Sequence, residues 1–322
     1  MKRQFAQRLL ENVCRARVVV IGDLILDEYV MGSASRLSPE APVPVVEVAE
    51  LRLFPGGAAN VAKNAARLGA SALLIGVVGD DAEGERLKSL LSGEPRLETA
   101  FVVDPRRPTT KKTRVVASGH QIVRFDHELR RPLGEEIAAK VVQEIKRHLS
   151  RDLGAVVLSD YQKGMLCEPV LRTAIDGTKA LNLPCVIDPK LRDFRAYRGA
   201  TLLTPNLAEA RAAANADHGT PTRELLETLV GVLGASVLVT EGEAGMTLQS
   251  PGSLPQHLPA RLRQVFDLTG AGDTVVAVLS AALAGGATLL EAAELANAAA
   301  GVAVSKPGIV AVEPSELLAE FE

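Results

Sequence analysis

Short apolar runs rich in β-branched residues recur along the chain, and each ends on a polar residue. They are Arg17–Asp23, Ala155–Asp160, Cys185–Asp188, Thr201–Asn206 and Ser236–Glu241. Unbroken apolar runs of this length predict parallel strands covered on both faces. Helical periodicity fills the intervals at Glu135–Leu149, Pro169–Leu181, Thr222–Leu233 and Leu289–Val304. Strand alternating with helix predicts an α/β fold on a doubly wound, mainly parallel sheet. Ligands bind such sheets at the carboxyl ends of the strands, where Asp23, Asp160, Asp188, Asn206 and Glu241 fall. One acid there is readily a helix cap; five polar ends together predict a site.

Two segments break this rhythm. Residues 28–54 are rich in Pro and Val, with loose alternation over Val43–Val48. Residues 99–126 hold the runs Thr113–Ala117 and Gln121–Phe125, joined by Ser118-Gly119-His120 in a hairpin pattern. Together they predict a small antiparallel sheet, either surface decoration or a lid over the crevice. With no repeat or low-complexity linker, a single domain over residues 1–322 is expected.

Composition narrows the function classes. At 47% hydrophobic and 23% charged residues the chain is not of a disordered type. Its 36 Lys+Arg against 39 Asp+Glu leave a net charge of -3, without the basic excess that phosphate-backbone binding needs. Aromatics at 3%, with no Trp, also remove stacking platforms for nucleic acid. Cys14, Cys167 and Cys185 are scattered, which fits a reducing compartment and excludes a disulfide scaffold or zinc ribbon. The N-terminus carries charges throughout, unlike a signal peptide. The longest uncharged run, Thr274–Leu290, falls short of the ~20 residues a membrane span needs. A cytoplasmic protein with no membrane or nucleic-acid partner is expected.

The sharpest local feature is Asp267-Leu-Thr-Gly-Ala-Gly-Asp273, leading into a helical run. Backbone N–H groups of Gly270, Ala271 and Gly272 at a helix start make an anion hole, with the helix dipole behind it. Asp273 beside it could take a proton from a hydroxyl attacking a phosphoryl group. The same residues also fit a tight turn with a dipole-compensating acid. Gly56-Gly57-Ala-Ala-Asn60 opens another helix, where glycines permit close approach and Asn60 both donates and accepts, as sugar hydroxyls require. It equally fits a structural Gly-rich loop. Asn206-Leu207-Ala208-Glu209 reads either as a water-mediated Mg²⁺ site or as a capping pair. Arg106, Arg107, Lys111, Lys112, Arg114, Arg124 and Arg36 cluster in or near the inserted segments, as a solvated face or as a grip on an anionic substrate. Lys190, after the strand ending in Asp188, is a further candidate. No P-loop, GxGxxG, HExxH or GxSxG pattern occurs, so hydrolases and nicotinamide dehydrogenases lose support.

In order and over essentially the whole chain, the early Gly-Gly…Asn and late D-x-T-G-A-G-D motifs resemble those of the ribokinase-like (PfkB-type) sugar kinases. That resemblance implies a ribokinase-like fold with a β-sheet lid, ATP and Mg²⁺ as cofactors, and a homodimer through the lid; it leaves a monovalent cation open. It implies Asp273 as catalytic base and the Gly270–Gly272 amides as anion hole. On the nucleotide side it points to Asn206 through Glu209, Thr240, Gly242, Asp267, Thr269 and Asn297. On the sugar-phosphate side it points to Asp23, Asp27, Arg36, Gly56, Gly57, Asn60, Lys112, Arg124, Asp160 and Lys190.

Ile21-Gly-Asp-Leu-Ile-Leu-Asp27, Ser38–Val46, Pro55–Ala62, Leu158-Ser-Asp-Tyr161 with Lys163-Gly164, Ile187-Asp-Pro-Lys190 and Leu203–Leu207 look like the heptose 7-phosphate kinases. These make heptose 1,7-bisphosphate on the route to ADP-heptose, and some carry a following nucleotidyltransferase domain. With its end at Glu322 the chain resembles the kinase alone. It departs at Leu191-Arg192, where a Gly is expected after the Lys, and at Lys306-Pro-Gly-Ile309, where Gly-Thr is more usual. A kinase for another sugar, or a non-catalytic sugar-phosphate sensor, are the alternatives.

Overall fold

The computed structural model describes residues 1–190, 193–261, 265–306 and 308–322, so Leu191, Arg192 and Pro307 of the two departures lie outside the described residues. The first half of the chain holds α1 (Arg3–Val13), β1 (Arg17–Gly22), β2 (Leu24–Leu37), β3 (Pro44–Gly57), α2 (Ala58–Arg67), β4 (Ser71–Val78), α3 (Ala82–Ser92) and β5 (Leu97–Val103). There follow β6 (Thr110–Ala117), β7 (His120–His127), α4 (Glu135–His148), β8 (Ala155–Ser159), α5 (Glu168–Leu181), β9 (Cys185–Asp188) and β10 (Leu202–Leu203). The last part holds α6 (Leu207–Ala214), α7 (Thr222–Leu233), β11 (Ser236–Thr240), β12 (Gly245–Gln249), β13 (Gln256–Pro259), α8 (Ala271–Ala284), α9 (Leu289–Val304) and α10 (Pro314–Leu318).

The large sheet runs β13-β12-β11-β10-β9-β8-β1-β4-β5 and is parallel from β5 to β11. Its β1 shows why the apolar run is unbroken. Val18 and Val20 enter the core under α1, α2, α8 and α9, while Val19 and Ile21 enter the core under α4, α5 and α7. From β1 the chain builds β4 and β5 on one side, then crosses to build β8 through β11 on the other. The gap between the ends of β1 and β8 is therefore the switch point where such sheets open a crevice. The run Thr201–Asn206 contributes only two strand residues, because Pro205 has no N–H for the ladder and Asn206 turns to cap α6.

The second sheet has four strands in the order β3-β2-β6-β7. Both hairpins are antiparallel, and they join through a parallel β2–β6 pair, so the small sheet is mixed at its centre. The predicted turn is present: Ser118 and Gly119 both take positive φ (51° and 83°), as a two-residue turn matching strand twist demands. Residues 97–103 instead form the edge of the large sheet, so the second hairpin starts at Thr110. Among the described residues no helix is long and apolar enough to cross a membrane.

Candidate active site

Two strand-end acids turn inward at the switch point. The Asp23 carboxylate accepts from the backbone N–H of Tyr161 (2.8 Å), Lys163 (3.0 Å) and Met165 (3.1 Å). Asp160 accepts from the Gln162 N–H at 2.7 Å and from the Tyr197 hydroxyl. Burial pushes both carboxyls above the ordinary range. Both acids, expected on the sugar-phosphate side, here shape the 160–165 loop. What that loop presents is Tyr161, which sequence reasoning did not place in the site.

Tyr161 donates its hydroxyl to Asp273 Oδ1 at 2.7 Å, and Asn60 Nδ2 donates to Asp273 Oδ2 at 2.8 Å. Asn64, one helical turn on in α2, fixes Asn60 by donating to its side-chain and main-chain oxygens, both at 2.9 Å. The early and late motifs are thus joined by one hydrogen bond, although the chain separates them by 213 positions. Gly270 caps α8 in the left-handed conformation (φ 81°), which puts Asp273 in the first turn, with the N–H groups of the Gly-Ala-Gly segment at the helix's positive end.

Asp273 is buried, and desolvation raises its pKa to about 6 although both hydrogen bonds favour the ionised form. The predicted consequence is a kcat/KM that is level above pH 7 and falls tenfold per unit well below pH 6, read from a pH–rate profile. For stability the sign is opposite. The folded state binds this proton more tightly than the unfolded one, so the site costs stability as pH rises from the ordinary 3.8 to about 6.

Cations and acids surround this carboxylate. Lys190 Nζ lies 2.6 Å from Glu209 Oε1 and 3.5 Å from Asp188 Oδ1. Burial opposes its charge, but Asp188 and Glu209 outweigh that and raise its pKa to about 12. Burial pushes Asp188 up to about 7, with Lys190 holding it back. Lys112, from β6, sits 5.6 Å from the Tyr161 ring centroid, and Lys190 sits 5.5 Å from it. Burial and then the nearby Lys163 lower the Lys112 pKa, against the pull of Asp27 and Asp126.

The other sugar-side candidates divide. Asp27 is ion-paired with Arg114 across the β2–β6 pair. A Cβ on Gly56 would lie 2.0 Å from Asp27 Oδ2, so the close approach this glycine permits is that of Asp27. Gly57 takes a positive φ (59°) as α2 begins, against the Asp23 carbonyl. Arg124 holds Asp126 on β7 by two hydrogen bonds of 3.0 and 3.2 Å. Arg36 is not brought in: it stands near the far end of β2, about 30 Å of strand from Asp27, and faces Glu47 at 3.8 Å.

On the other side of Asp273 a cavity of about 430 Å³ opens. It gathers Thr240, Gly242, Ala271, Gly272 and Asn297, with Met246 and Val275 among its apolar walls. A Cβ on Gly272 would meet nothing within 4 Å, so this helix N-terminus lies bare to a ligand. Asn206 and Glu209 form a full capping box on α6, and Asn206 bridges Thr240, which sets the box beside the cavity. Leu207 packs on the core and Ala208 is exposed. Asp267 accepts from the N–H of Thr269 (2.8 Å) and Gly308 (3.2 Å), tying the motif to the segment after α9.

The family model described as "pfkB family carbohydrate kinase" matches residues 15–316. "Bifunctional protein HldE" of Caulobacter sp. (strain K31) is 46% identical over 308 residues, covering 94% of this chain and 62% of the relative. "Bifunctional protein HldE" of Gluconobacter oxydans is 47% identical over 320 residues, covering 97% and 66%. The chain thus spans under two thirds of the length of these relatives. Among solved structures, phosphofructokinase-2 from Escherichia coli in complex with potassium superposes with a TM-score of 0.77 at 23% identity, over 94% of this chain and 96% of that one. Arabidopsis thaliana ribokinase complexed with ribose and ATP gives 0.72 at 20% identity, over 95% and 98%. Those two likenesses establish a ribokinase-like fold, and the family match makes the chain a member of the pfkB carbohydrate kinases, which phosphorylate an alcohol group of a sugar.

Proposed function

We propose that the chain transfers the γ-phosphoryl group of ATP to the anomeric hydroxyl of D-glycero-D-manno-heptose 7-phosphate, giving the 1,7-bisphosphate. The observation that carries this reading is the buried Asp273, hydrogen-bonded by Asn60 and Tyr161 and set beside a nucleotide-sized cavity on the first turn of α8. Asp273 accepts the hydroxyl proton as the new O–P bond forms and the bond to ADP breaks. The amides of Gly270, Ala271 and Gly272 stabilise charge on the transferring group. Asn60 orients the base. Lys112 and Lys190 attract the anionic acceptor, and the small sheet acts as a lid that excludes water.

Mg²⁺ keeps most of its waters and uses few carboxylates. Asn206 and Glu209 offer hard oxygens, but both already serve the capping box and Glu209 also holds Lys190, so they fit a hold through water. Among the described residues no three His, Cys, Asp or Glu side chains gather into a cage. When bound with ATP, the ion supplies neutralisation of phosphate charge. Potassium, which the Escherichia coli relative binds, is a candidate monovalent ion.

Two features support the heptose phosphate as acceptor. One is the set of motifs shared with heptose 7-phosphate kinases; the other is the match to longer proteins named bifunctional, as a kinase followed by a second enzyme would be. The place of work is the cytoplasm, where ATP is supplied and Cys14, Cys167 and Cys185 remain thiols. ATP consumption across heptose 7-phosphate, fructose phosphates, ribose and adenosine tests the acceptor. Strong preference for the heptose phosphate is expected. Preference for another sugar discards the acceptor alone, and silence on all of them discards the kinase.

The lid also serves a dimer. Leu51, Val30, Val115 and Val123 lie in one register row across all four strands, on the face opposite Asp27 and Lys112. Leu51 and Val123 are 62% and 48% exposed, and Phe125 beside them is 55% exposed. An apolar row of that kind is a pairing surface for a second copy. Light scattering should give a dimer for the wild type and a monomer for Val123→Glu; a monomeric wild type contradicts the arrangement.

A further inference from the structure

We infer that Tyr161 is a positioning residue for the proton-accepting carboxylate, holding Asp273 by its hydroxyl while a lysine of the small sheet and a lysine of the main sheet each lie within cation–π reach of its ring. This inference rests on the reading of Asp273 as the base.

Among the described residues, Tyr161 and Asn60 are the side chains that hydrogen-bond the Asp273 carboxylate. The Tyr161 hydroxyl donates to Asp273 Oδ1 at 2.7 Å, opposite Asn60 on Oδ2 at 2.8 Å. A carboxylate oxygen has two lone pairs, so both bonds leave a position free on each oxygen for the substrate hydroxyl. Held from both sides, the carboxylate cannot rotate about its terminal torsion, which is otherwise broad. The backbone of Tyr161 is anchored separately, by its N–H to Asp23. The ring has Lys112 Nζ at 5.6 Å and Lys190 Nζ at 5.5 Å from its centroid.

The phenol stays a donor. Burial, and then the Asp273 charge, push its own pKa well above the ordinary value of 10.0, so it does not compete for the proton Asp273 takes. The groups facing Asp273 are Asn60 from α2, Tyr161 from the loop after β8, Asp27 from β2, and Asp188 and Lys190 at the end of β9. Of these, Asp27 and Asp188 favour the protonated acid, and Lys190 the ionised one. Removing the Tyr161 hydroxyl takes away a bond to the ionised form and leaves the acids in place.

The test is a ¹³C-carboxyl NMR titration without substrate, with Asp273→Asn to assign the resonance. In Tyr161→Phe, Asp273 should titrate about one to two units higher than in the wild type, the size expected for a lost hydrogen bond to a charged group. At pH 9 kcat should fall about tenfold with KM for ATP unchanged, since only orientation in the transition state is lost. Replacing the tyrosines by 3-fluorotyrosine keeps every ring and strengthens the donor, so the titration should move the other way even if Tyr161→Phe folds poorly. An Asp273 titration that stays at the wild-type pH in both proteins overturns the inference. Because no substrate is present, that result is separate from failure of heptose 7-phosphate as acceptor.

Discussion

Asp273→Asn should cut turnover by at least ~10²–10⁴-fold, the contribution of a positioned general base, while leaving the fold intact. The substitution keeps the shape and the hydrogen-bonding capacity. The new amide oxygen accepts from Asn60, and its NH₂ donates to the Tyr161 oxygen, which rotates to accept. What it removes is a buried charge whose ionisation costs stability above pH 6. The variant's Tm at pH 8 should therefore equal or exceed that of the wild type, a trade of stability for activity at a functional site. Steady-state turnover and a thermal melt on the same sample check both halves. An enzyme of nearly normal activity would remove Asp273 from the mechanism, and a lower Tm would show that its charge is satisfied by partners other than those described.

Gly270→Val should be nearly as damaging, by a different route. Gly270 sits at φ 81° and ψ 0°, where a β-branched residue is strained by about 1–3 kcal/mol. A Cβ there would also lie 2.9 Å from Asn60 Nδ2, the atom that holds the base. Turnover should drop ~10²–10³-fold through the anion hole and Tm should fall. Gly272→Ala is the contrast: its Cβ has open space and helical backbone, so Tm should hold while KM for ATP rises. If the two substitutions lowered Tm equally, the assignment of strain to Gly270 alone would be wrong.

How much of this was legible in the sequence follows from the physics of each element. β1, β8, β9 and β11 were readable because strands buried on both faces must be continuous apolar runs, and α7 and α9 because their periodicity runs from cap to cap. Ser71–Val78 was missed: Ala72 and Gly76 interrupt the β-branched pattern, and Gly76 is there because Leu24 packs where its Cβ would be. The parallel β2–β6 pair was illegible, since pairing between separate excursions leaves no local signal. In the site, the two glycine motifs carried their own geometry. Asp23 and Asp160 pointed to the correct end of the sheet, but their orientation toward the 161–165 backbone depends on a loop fold that spacing does not encode. Tyr161 had one available signal, its place directly after a strand-end acid in the Leu158-Ser-Asp-Tyr161 motif. Lys112 and Arg36 look alike as basic residues in inserted segments. Only strand register separates them, placing Lys112 beside Asp27 and Arg36 far along β2.

The most direct test of the central claim is ³¹P NMR of the wild-type protein acting on heptose 7-phosphate with ATP and Mg²⁺. ADP is expected and, in equal amount, a second sugar phosphate signal coupled to the anomeric proton, with the original 7-phosphate signal retained. ADP formed with inorganic phosphate alone, a new phosphate on any other carbon, or no consumption of ATP would contradict it.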